Sequence, residues 1–599
     1  MTNKHYYLRR SKRAQLPQLV LFLEVDTYYR EEGGFDWHYM IGANTIATTY
    51  DKKGTPRKHT SLSHPETEKL FLYIESLASS HSSMLVVGSH ITFALFSCDL
   101  LARMTTAGWN VQVLHAATST ALLVAQREKN TIRFANLTNW IDSIEELPDS
   151  AEPRVKLIAK AFNEYLAFVV KHNMGEFKYT AASQAFTCFR RRFLTEKILH
   201  YDQPEFNAYI RAAYFGGRVE CGRLGSLADS GYTRIDINSL YPYVMSTNRY
   251  PTKFRQWCRN PNLKYLRKRA QDSGCVAECL VATDEPIYAI QRNGSTVFPT
   301  GTFTARLCTG TLQIALERGH VRSCSQLATF DTRDLFSGFV GYFYPLKARY
   351  RAAGMAIWTG TVKGILNKLY GKFGERHDHV IWEGDGDDGD LYAHPCLVPA
   401  ADVPDGDAKF NWRYVAEKET GELHVAATER SCMGRKWITA GYKEGTSSAP
   451  AIAAHVTDYG RAHLWLLIEK LGLENMLYCD TDSLIFESQH LDKLLGEINA
   501  EEIGKLRVLG EATSLEIRGC KNYTFGGEDI IAGKPKNAIW QNHRLYTARY
   551  FPNPTRVLQP RAVAGAPIGA VTKSVLTRYS KGDVLGDGTI TRFLLEEGS

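Results

Sequence analysis

Residues 18–27, Gln-Leu-Val-Leu-Phe-Leu-Glu-Val-Asp-Thr, form an apolar run closed by two carboxylates, the pattern of a buried strand with acids at its end. Residues 84–88, Met-Leu-Val-Val-Gly, predict a second buried strand. From about 152 to 195 the apolar residues recur at three- and four-residue spacing, which predicts helix. These segments predict an α/β unit of about 200 residues, and the pattern then changes. A strand carries Arg234-Ile235-Asp236-Ile237, a long helix is expected over roughly 345–373, and another strand carries Leu477-Tyr478-Cys479-Asp480. Between the last two lies Glu383-Gly384-Asp385-Gly386-Asp387-Asp388-Gly389-Asp390. It lacks the ligand spacing and closing Glu of a calcium loop, and is expected to be an acidic hairpin tip.

Composition narrows the class. With 44% hydrophobic and 23% charged residues, disorder is excluded as the default, and 599 residues suffice for roughly four domains. The net charge of +8 is modest if spread evenly; gathered in a groove, it suits a polyanion. No apolar run reaches the 18 or so residues of a membrane span, so no membrane association is expected. The segment Lys4–Arg13 is basic and lacks the apolar core of a secretory signal, so a cytoplasmic location without a signal peptide is expected. That basic segment reads either as a solvated tail or as a contact to DNA phosphates. The twelve cysteines contain no Cys-x-x-Cys pair, Cys275 and Cys279 being the closest, so neither a zinc site nor a disulfide framework is indicated.

The chemistry concentrates on carboxylates. In Asp236-Ile237-Asn238-Ser239-Leu240-Tyr241-Pro242 an apolar strand ends in an aspartate, followed by the signals of a helix start. In Tyr478-Cys479-Asp480-Thr481-Asp482-Ser483-Leu484-Ile485-Phe486, alternation puts Asp480 and Asp482 on one face of a strand or hairpin. Carboxylates set together in apolar surroundings repel one another and lose solvation, unless a cation lies between them. Nucleotidyl transfer has such a need: two magnesium ions about 3.5–4 Å apart activate a 3′-hydroxyl and stabilise departing pyrophosphate. A third segment, Lys363-Gly364-Ile365-Leu366-Asn367-Lys368-Leu369-Tyr370-Gly371-Lys372-Phe373, places Lys363, Asn367 and Tyr370 on one helix face. A cation, an amide and an aromatic ring there read as a nucleotide-binding stripe, or as the rim of an amphipathic helix.

In this order, Asp-x-x-Ser-Leu-Tyr-Pro, Lys-x-x-x-Asn-x-x-Tyr-Gly and Tyr-x-Asp-Thr-Asp-Ser resemble motifs A, B and C of family B DNA polymerases. Tyr214-Phe215-Gly216-Gly217-Arg218 resembles the Tyr-x-Gly-Gly segment between exonuclease and polymerase domains, and Lys521-Asn522-Tyr523 the Lys-x-Tyr motif that grips the primer. The short chain and compact spacing resemble the protein-primed branch of phages and linear plasmids, over about residues 15–565. The resemblance implies an α/β and α+β multidomain chain: an RNase H-like exonuclease-type domain, then a right-hand palm, fingers and thumb. The expected boundaries are a basic tail at 1–17, the exonuclease-like domain at 18–200, a linker with the Tyr-x-Gly-Gly segment and motif A at 201–245, and a palm insertion resembling the first terminal-protein region at 246–340. Fingers with motif B follow at 341–375, a second such insertion at 376–445, palm with motif C and Lys-x-Tyr at 446–530, and thumb at 531–599. The second insertion is long for the branch.

Carried over by the resemblance, Asp236 and Asp482 are the metal ligands, assisted by the Ile237 carbonyl, and Asp480 supports the site. Tyr241 packs beneath the incoming sugar and excludes a 2′-hydroxyl; Tyr370 and Asn367 line the same pocket. Lys363 neutralises the triphosphate, with Lys347, Arg349 and Arg351 as candidates for its outer phosphates. Tyr214, Gly216 and Gly217 contact DNA, and Lys521 and Tyr523 hold the primer end. The implied cofactor is a pair of Mg2+ ions, with Mn2+ as a substitute. The implied partners are primer–template DNA, deoxynucleoside triphosphates and a terminal-protein primer.

The pattern breaks in the exonuclease motifs. Where Asp-x-Glu is usual, Glu24-Val25-Asp26 has the acids exchanged, which moves each carboxylate by about 1.5 Å. Where Phe-Asp is usual, Phe93 is followed by Ala94, and Asp99 lies too far on to replace it. Where a helical aspartate is usual stands Arg154, with Glu152 off register. An arginine among metal ligands opposes a two-cation site, so hydrolysis is expected to be lost. The Arg190-Arg191-Arg192 run reads as a solvated helix face or as a phosphate contact. Three alternatives stand beside a protein-primed polymerase: a reverse transcriptase or RNA polymerase, a nonenzymatic DNA-binding descendant, and a repair or defence polymerase using ordinary or no primers. Thr481 between the motif C aspartates argues against reverse transcriptase, Tyr241 against ribonucleotide use, and intact motifs A to C against the nonenzymatic reading.

Overall fold

The structure is a computed structural model. It describes residues 5–116, 120–142, 147–201, 203–228, 230–385, 414–416, 423–425, 428–432, 435–535, 537–542, 544–551, 565–575 and 579–597. The expected acidic tip lies outside these residues from Gly386 onward; its first positions end the strand Arg376–Asp385, which pairs with Arg435–Glu444.

The N-terminal unit is built on the predicted strand, which runs over Leu19–Glu32. It pairs antiparallel with Phe35–Tyr50 and parallel with Ser83–Gly88, which is parallel in turn to Asn130–Asn136. Val20 and Phe22 enter one core with Phe162, while Leu19, Leu21 and Leu23 enter a second core on the other face. Burial on both faces is why this strand reads as an uninterrupted apolar run. The expected helical stretch divides into Ala151–Lys171, Ala181–Cys188 and a π turn at Phe189–Phe193. The first helix ends at Lys171, where Asn173 turns left-handed at φ +48°, and Thr180 caps the second through Ser183 N.

The palm is an antiparallel sheet ordered Val219–Cys221, Tyr478–Asp480, Ser483–Glu487, Tyr232–Ile237, Leu506–Ala512. The helix Pro450–Leu471 is buried along most of its length behind it. The single helix expected over 345–373 is instead two, Ser337–Ala352 and Ala356–Phe373, packed on each other. Gly354 at φ +68° makes the turn, and the apolar phase on either side conceals it. Pro345 lies inside the first helix, which buried Phe339, Val340 and Phe343 hold in place.

Two long-range pairings join parts that the sequence reading kept separate. The C-terminal strand Ala566–Ser574 adds to the N-terminal sheet through Phe35↔Gly569 and His38↔Ala566. Leu594–Leu595 pairs parallel with Thr300–Gly301 at the edge of the sheet in the first insertion. Among the described residues, no helix is long and apolar enough to cross a membrane.

Candidate active site

Three segments that are distant in sequence meet at the palm hairpin. Asp236 ends its strand opposite Ser483, and Ile237 N donates to the Asp482 carbonyl at 2.6 Å. Thr481, at φ +59°, makes the hairpin turn, so Asp480 closes the strand while Asp482 sits in the turn. This corrects the simple alternation expected for the two acids. Asp480 accepts both of its 2.9 Å contacts from Lys521 Nζ, whereas Asp482 faces the charge of Asp236.

The electrostatics follow. Burial first, then Asp236 and Asp480, push the Asp482 carboxyl up to about 7. Burial also raises Asp236, against the pull of Arg507, Lys363 and Lys347. Lys347 is pushed down to about 8 by burial and by Lys363, Arg507 and Arg351. Underneutralised carboxylates thus stand beside crowded cations, an arrangement that both a metal cation and a triphosphate relieve. Among the described residues no three His, Cys, Asp or Glu side chains gather as a metal cluster. The hard-oxygen set that fits a divalent ion is Asp236 and Asp482 with the Ile237 carbonyl.

The residues expected to face a nucleotide come from three helices, Leu240–Thr247, Ser337–Ala352 and Ala356–Phe373. Tyr241 and Tyr370 pack ring to ring with centroids 4.7 Å apart, and both hydroxyls are raised by burial. Lys363, on the helix Ala356–Phe373, acts electrostatically on both aspartates; Asn367 is one turn further along. Lys347 Nζ donates to Ser239 Oγ at 2.8 Å, and Ser239 holds a left-handed φ of +57° where motif A turns into helix. Lys347 and Arg351 share a helix face, but Arg349 lies half a turn away and acts on His172, so it does not join this group.

The Tyr-x-Gly-Gly segment braces the hairpin. Thr481 N donates to Arg218 O at 2.7 Å, and a Cβ on Gly217 would meet Thr481 Oγ1 at 2.6 Å. Nothing lies within 4 Å of a Cβ on Gly216, and Tyr214 packs against Gly374. Tyr523 is 7% exposed and packs on Tyr478 at 4.9 Å, so it supports the hairpin from below; Lys521 keeps half its side chain exposed.

Sequence reasoning missed two features. Arg507, from the strand beside motif A, donates to Asp236 Oδ2 at 3.0 Å. Arg461 donates to the carbonyls of Phe215 and Gly216 and pairs with Asp458, which accepts from Thr311. An Asp and an Arg three residues apart in an otherwise apolar helix were a usable signal for the second. The first depends on sheet register and left no local trace.

At the N-terminal unit, Glu24 and Asp26 line a cleft of about 430 Å³ with Ser89, His90, Ala94 and Arg154. Glu24 accepts from Arg154 Nε at 3.0 Å and from Ser89 Oγ at 2.9 Å. Arg154 also donates to Val25 O at 2.6 Å and lies 3.6 Å from Asp26, which accepts from Ala151 N. A guanidinium therefore occupies the space between the two acids; Ala94 offers no carboxylate, and Asp149 is the third acid that lines the cleft.

The profile of DNA polymerase type B, organellar and viral, matches residues 155–383. A probable DNA polymerase of Neurospora intermedia is 23% identical over 56% of this chain and 33% of its own length. The DNA-directed DNA polymerase of Enterobacteria phage PRD1 is 24% identical over 56% of this chain and 53% of its own. The chain thus spans about a third and about half of these curated relatives. Phi29 DNA polymerase, in a complex with primer-template DNA and incoming nucleotide, is 12% identical, with a TM-score of 0.63 over 93% of this chain and all of that one. A second Phi29 polymerase structure, in an orthorhombic crystal form, gives 0.56 at 13% identity over 87% and 90%. These matches show the expected multidomain fold, and the profile and the two relatives make the chain similar to type B DNA polymerases of organellar and viral type.

Proposed function

We propose that this chain is a template-directed DNA polymerase that adds deoxynucleotides to a 3′-hydroxyl, in protein-primed replication of a mobile or phage-like genome, and that its exonuclease-like domain does not hydrolyse DNA. The observation that carries the reading is the convergence of Asp236, Asp482, Lys363 and the Tyr241–Tyr370 pair from three distant segments. Held by Asp236, Asp482 and the Ile237 carbonyl, two magnesium ions, or manganese in their place, would supply charge neutralisation and an activated hydroxyl. Lys363, Lys347 and Arg351 bind the triphosphate, and Tyr241 walls the sugar against a 2′-hydroxyl. The chain lengths between motifs A and B and between motifs B and C leave room for two such insertions, which supports a terminal protein as the partner that offers the priming hydroxyl. A 5′-labelled primer on a longer template tests the reading: extension with magnesium and deoxynucleotides supports it, and tight DNA binding without extension from any primer, protein included, overturns it.

Arg507 adds to the phosphate-side cations. Replacing it by glutamine removes one charged hydrogen bond, worth about 1.5–3 kcal/mol. The nucleotide KM is expected to rise about ten-fold or more, with kcat changed far less. An unchanged KM in steady-state extension assays would assign Arg507 to Asp236 alone.

The arginine-filled cleft supports loss of proofreading. Without deoxynucleotides, magnesium-dependent shortening of single-stranded DNA is expected to be absent. Arg154→Ala is expected to leave it absent and to destabilise the fold by about 3 kcal/mol, because Glu24 would remain buried without its partner. Shortening abolished by Glu24→Ala would refute the reading; thermal melts read the stability change.

A further inference from the structure

The two basic runs lie far apart in sequence and together in space. Arg9, Arg10, Lys12 and Arg13 run along the π turn that carries Arg190, Arg191 and Arg192. The contacts are reciprocal: Arg10 Nε donates to Arg191 O at 2.7 Å, Arg190 Nε to Arg9 O at 3.0 Å, and Arg191 Nη1 to Lys12 O at 2.9 Å. Ser11 N closes the pairing on Arg190 O at 3.1 Å. Seven cations therefore share one surface of a chain whose net charge is only +8.

Like charges this close repel, and among the described residues no carboxylate pairs with them. Backbone carbonyls, the Asn173 amide oxygen and the Tyr342 ring, 4.0 Å from the Arg192 guanidinium, fix the arginines instead. Among the described residues none of the seven forms an ion pair, and the nearby Glu176 is taken by Lys178 at 2.9 Å. Lys171 and Arg349 extend the patch around His172, which is pushed down to about 4 by burial and then by Lys171, Arg192 and Arg349. A fixed array of cations facing no carboxylate matches a ladder of phosphates.

Its position identifies the strand. The helix Ser337–Ala352 shows Lys347 and Arg351 to the nucleotide site and Tyr342 and Arg349 to this patch. The two surfaces thus lie on opposite faces of one helix. We propose that the tail Arg9–Arg13 and the turn Arg190–Arg192 form a second DNA contact, which binds the phosphodiester backbone of the uncopied template strand as it approaches the nucleotide site. The direction of the strand rests on the proposed polymerase function; the phosphate chemistry does not.

The test measures binding without nucleotides, by fluorescence anisotropy across a salt series, to a primer–template with a long 5′ template overhang and to the same duplex with blunt ends. The triple variant Arg9→Gln/Lys12→Gln/Arg13→Gln spares the guanidiniums that anchor the turn. A Lys129→Gln/Lys264→Gln/Lys268→Gln protein controls for net charge. The tail variant is expected to bind the overhang DNA about ten-fold or more weakly, with a salt slope smaller by about two, since each lost single-strand phosphate contact removes about 0.7. Binding to the blunt duplex and the extension rate at saturating DNA should be unchanged. Arg349→Gln, on a different element, should weaken the same overhang DNA and guards against a misfolded tail, while Arg9→Lys/Arg13→Lys should bind as wild type. Equal loss on blunt duplex, equal loss in the control, or no loss would each overturn the assignment. Failure of the wild type to bind either DNA would instead overturn the polymerase reading.

Discussion

Replacing Asp236 or Asp482 by alanine is expected to lower primer extension at least about a thousand-fold, some 4 kcal/mol of barrier, while primer–template binding persists. The two carboxylates are held against the pull of burial, which raises both, and Asp236 and Asp480 further raise Asp482. Groups held at that cost without full partners are the mark of a site whose charge is completed by a ligand. Removing either acid therefore leaves the protein as stable or slightly more so, and the pair of results, unchanged melting with lost extension, separates a chemical role from a structural one. Asp480 differs, because Lys521 Nζ already satisfies both of its oxygens at 2.9 Å. Residual extension near the wild-type rate in the Asp236→Ala/Asp482→Ala protein would place the chemistry elsewhere.

The second large effect comes from a residue that acts through its neighbour Thr481. Gly217→Ala is expected to reduce extension about a hundred-fold at saturating DNA. The added methyl would stand 2.6 Å from Thr481 Oγ1 and 3.0 Å from Thr481 Cβ. Thr481 cannot easily retreat, since its N–H donates to Arg218 O at 2.7 Å and its φ of +59° is already strained for a threonine. The hairpin must shift, and Asp480 and Asp482 shift with it; a displacement of about 1 Å at reacting groups costs on the order of 10²-fold. Gly216→Ala is the paired control, because nothing lies within 4 Å of its added methyl. Its expected effect is on DNA affinity alone, through the DNA contact that the resemblance implies for this position. Equal kcat for both alanine proteins would remove the steric argument.

The chemistry was legible where it is local. An aspartate closing an apolar strand, a second pair of acids in a short hairpin and a Lys-x-x-x-Asn-x-x-Tyr helix face each state their geometry within a dozen residues. The same locality exposed Ala94 and Arg154 as departures, and the structure places Arg154 between Glu24 and Asp26. Helix boundaries were less legible. The break at Gly354 is hidden because apolar residues recur at helical spacing on both sides of it.

By itself, then, the sequence singled out the candidate residues of the palm site, the family they resemble and the departures from its exonuclease motifs, because charge type, strand ends and helix faces are set by near neighbours. Only the tertiary structure decided that Arg507 meets Asp236, that Arg349 turns away from Lys347, that the C-terminal strands complete two earlier sheets, and that two basic runs about 180 residues apart make one surface. Each of these depends on sheet register or on the packing of distant segments. Such pairings are chosen by the burial of whole faces, and a local pattern carries no record of which distant face will cover it.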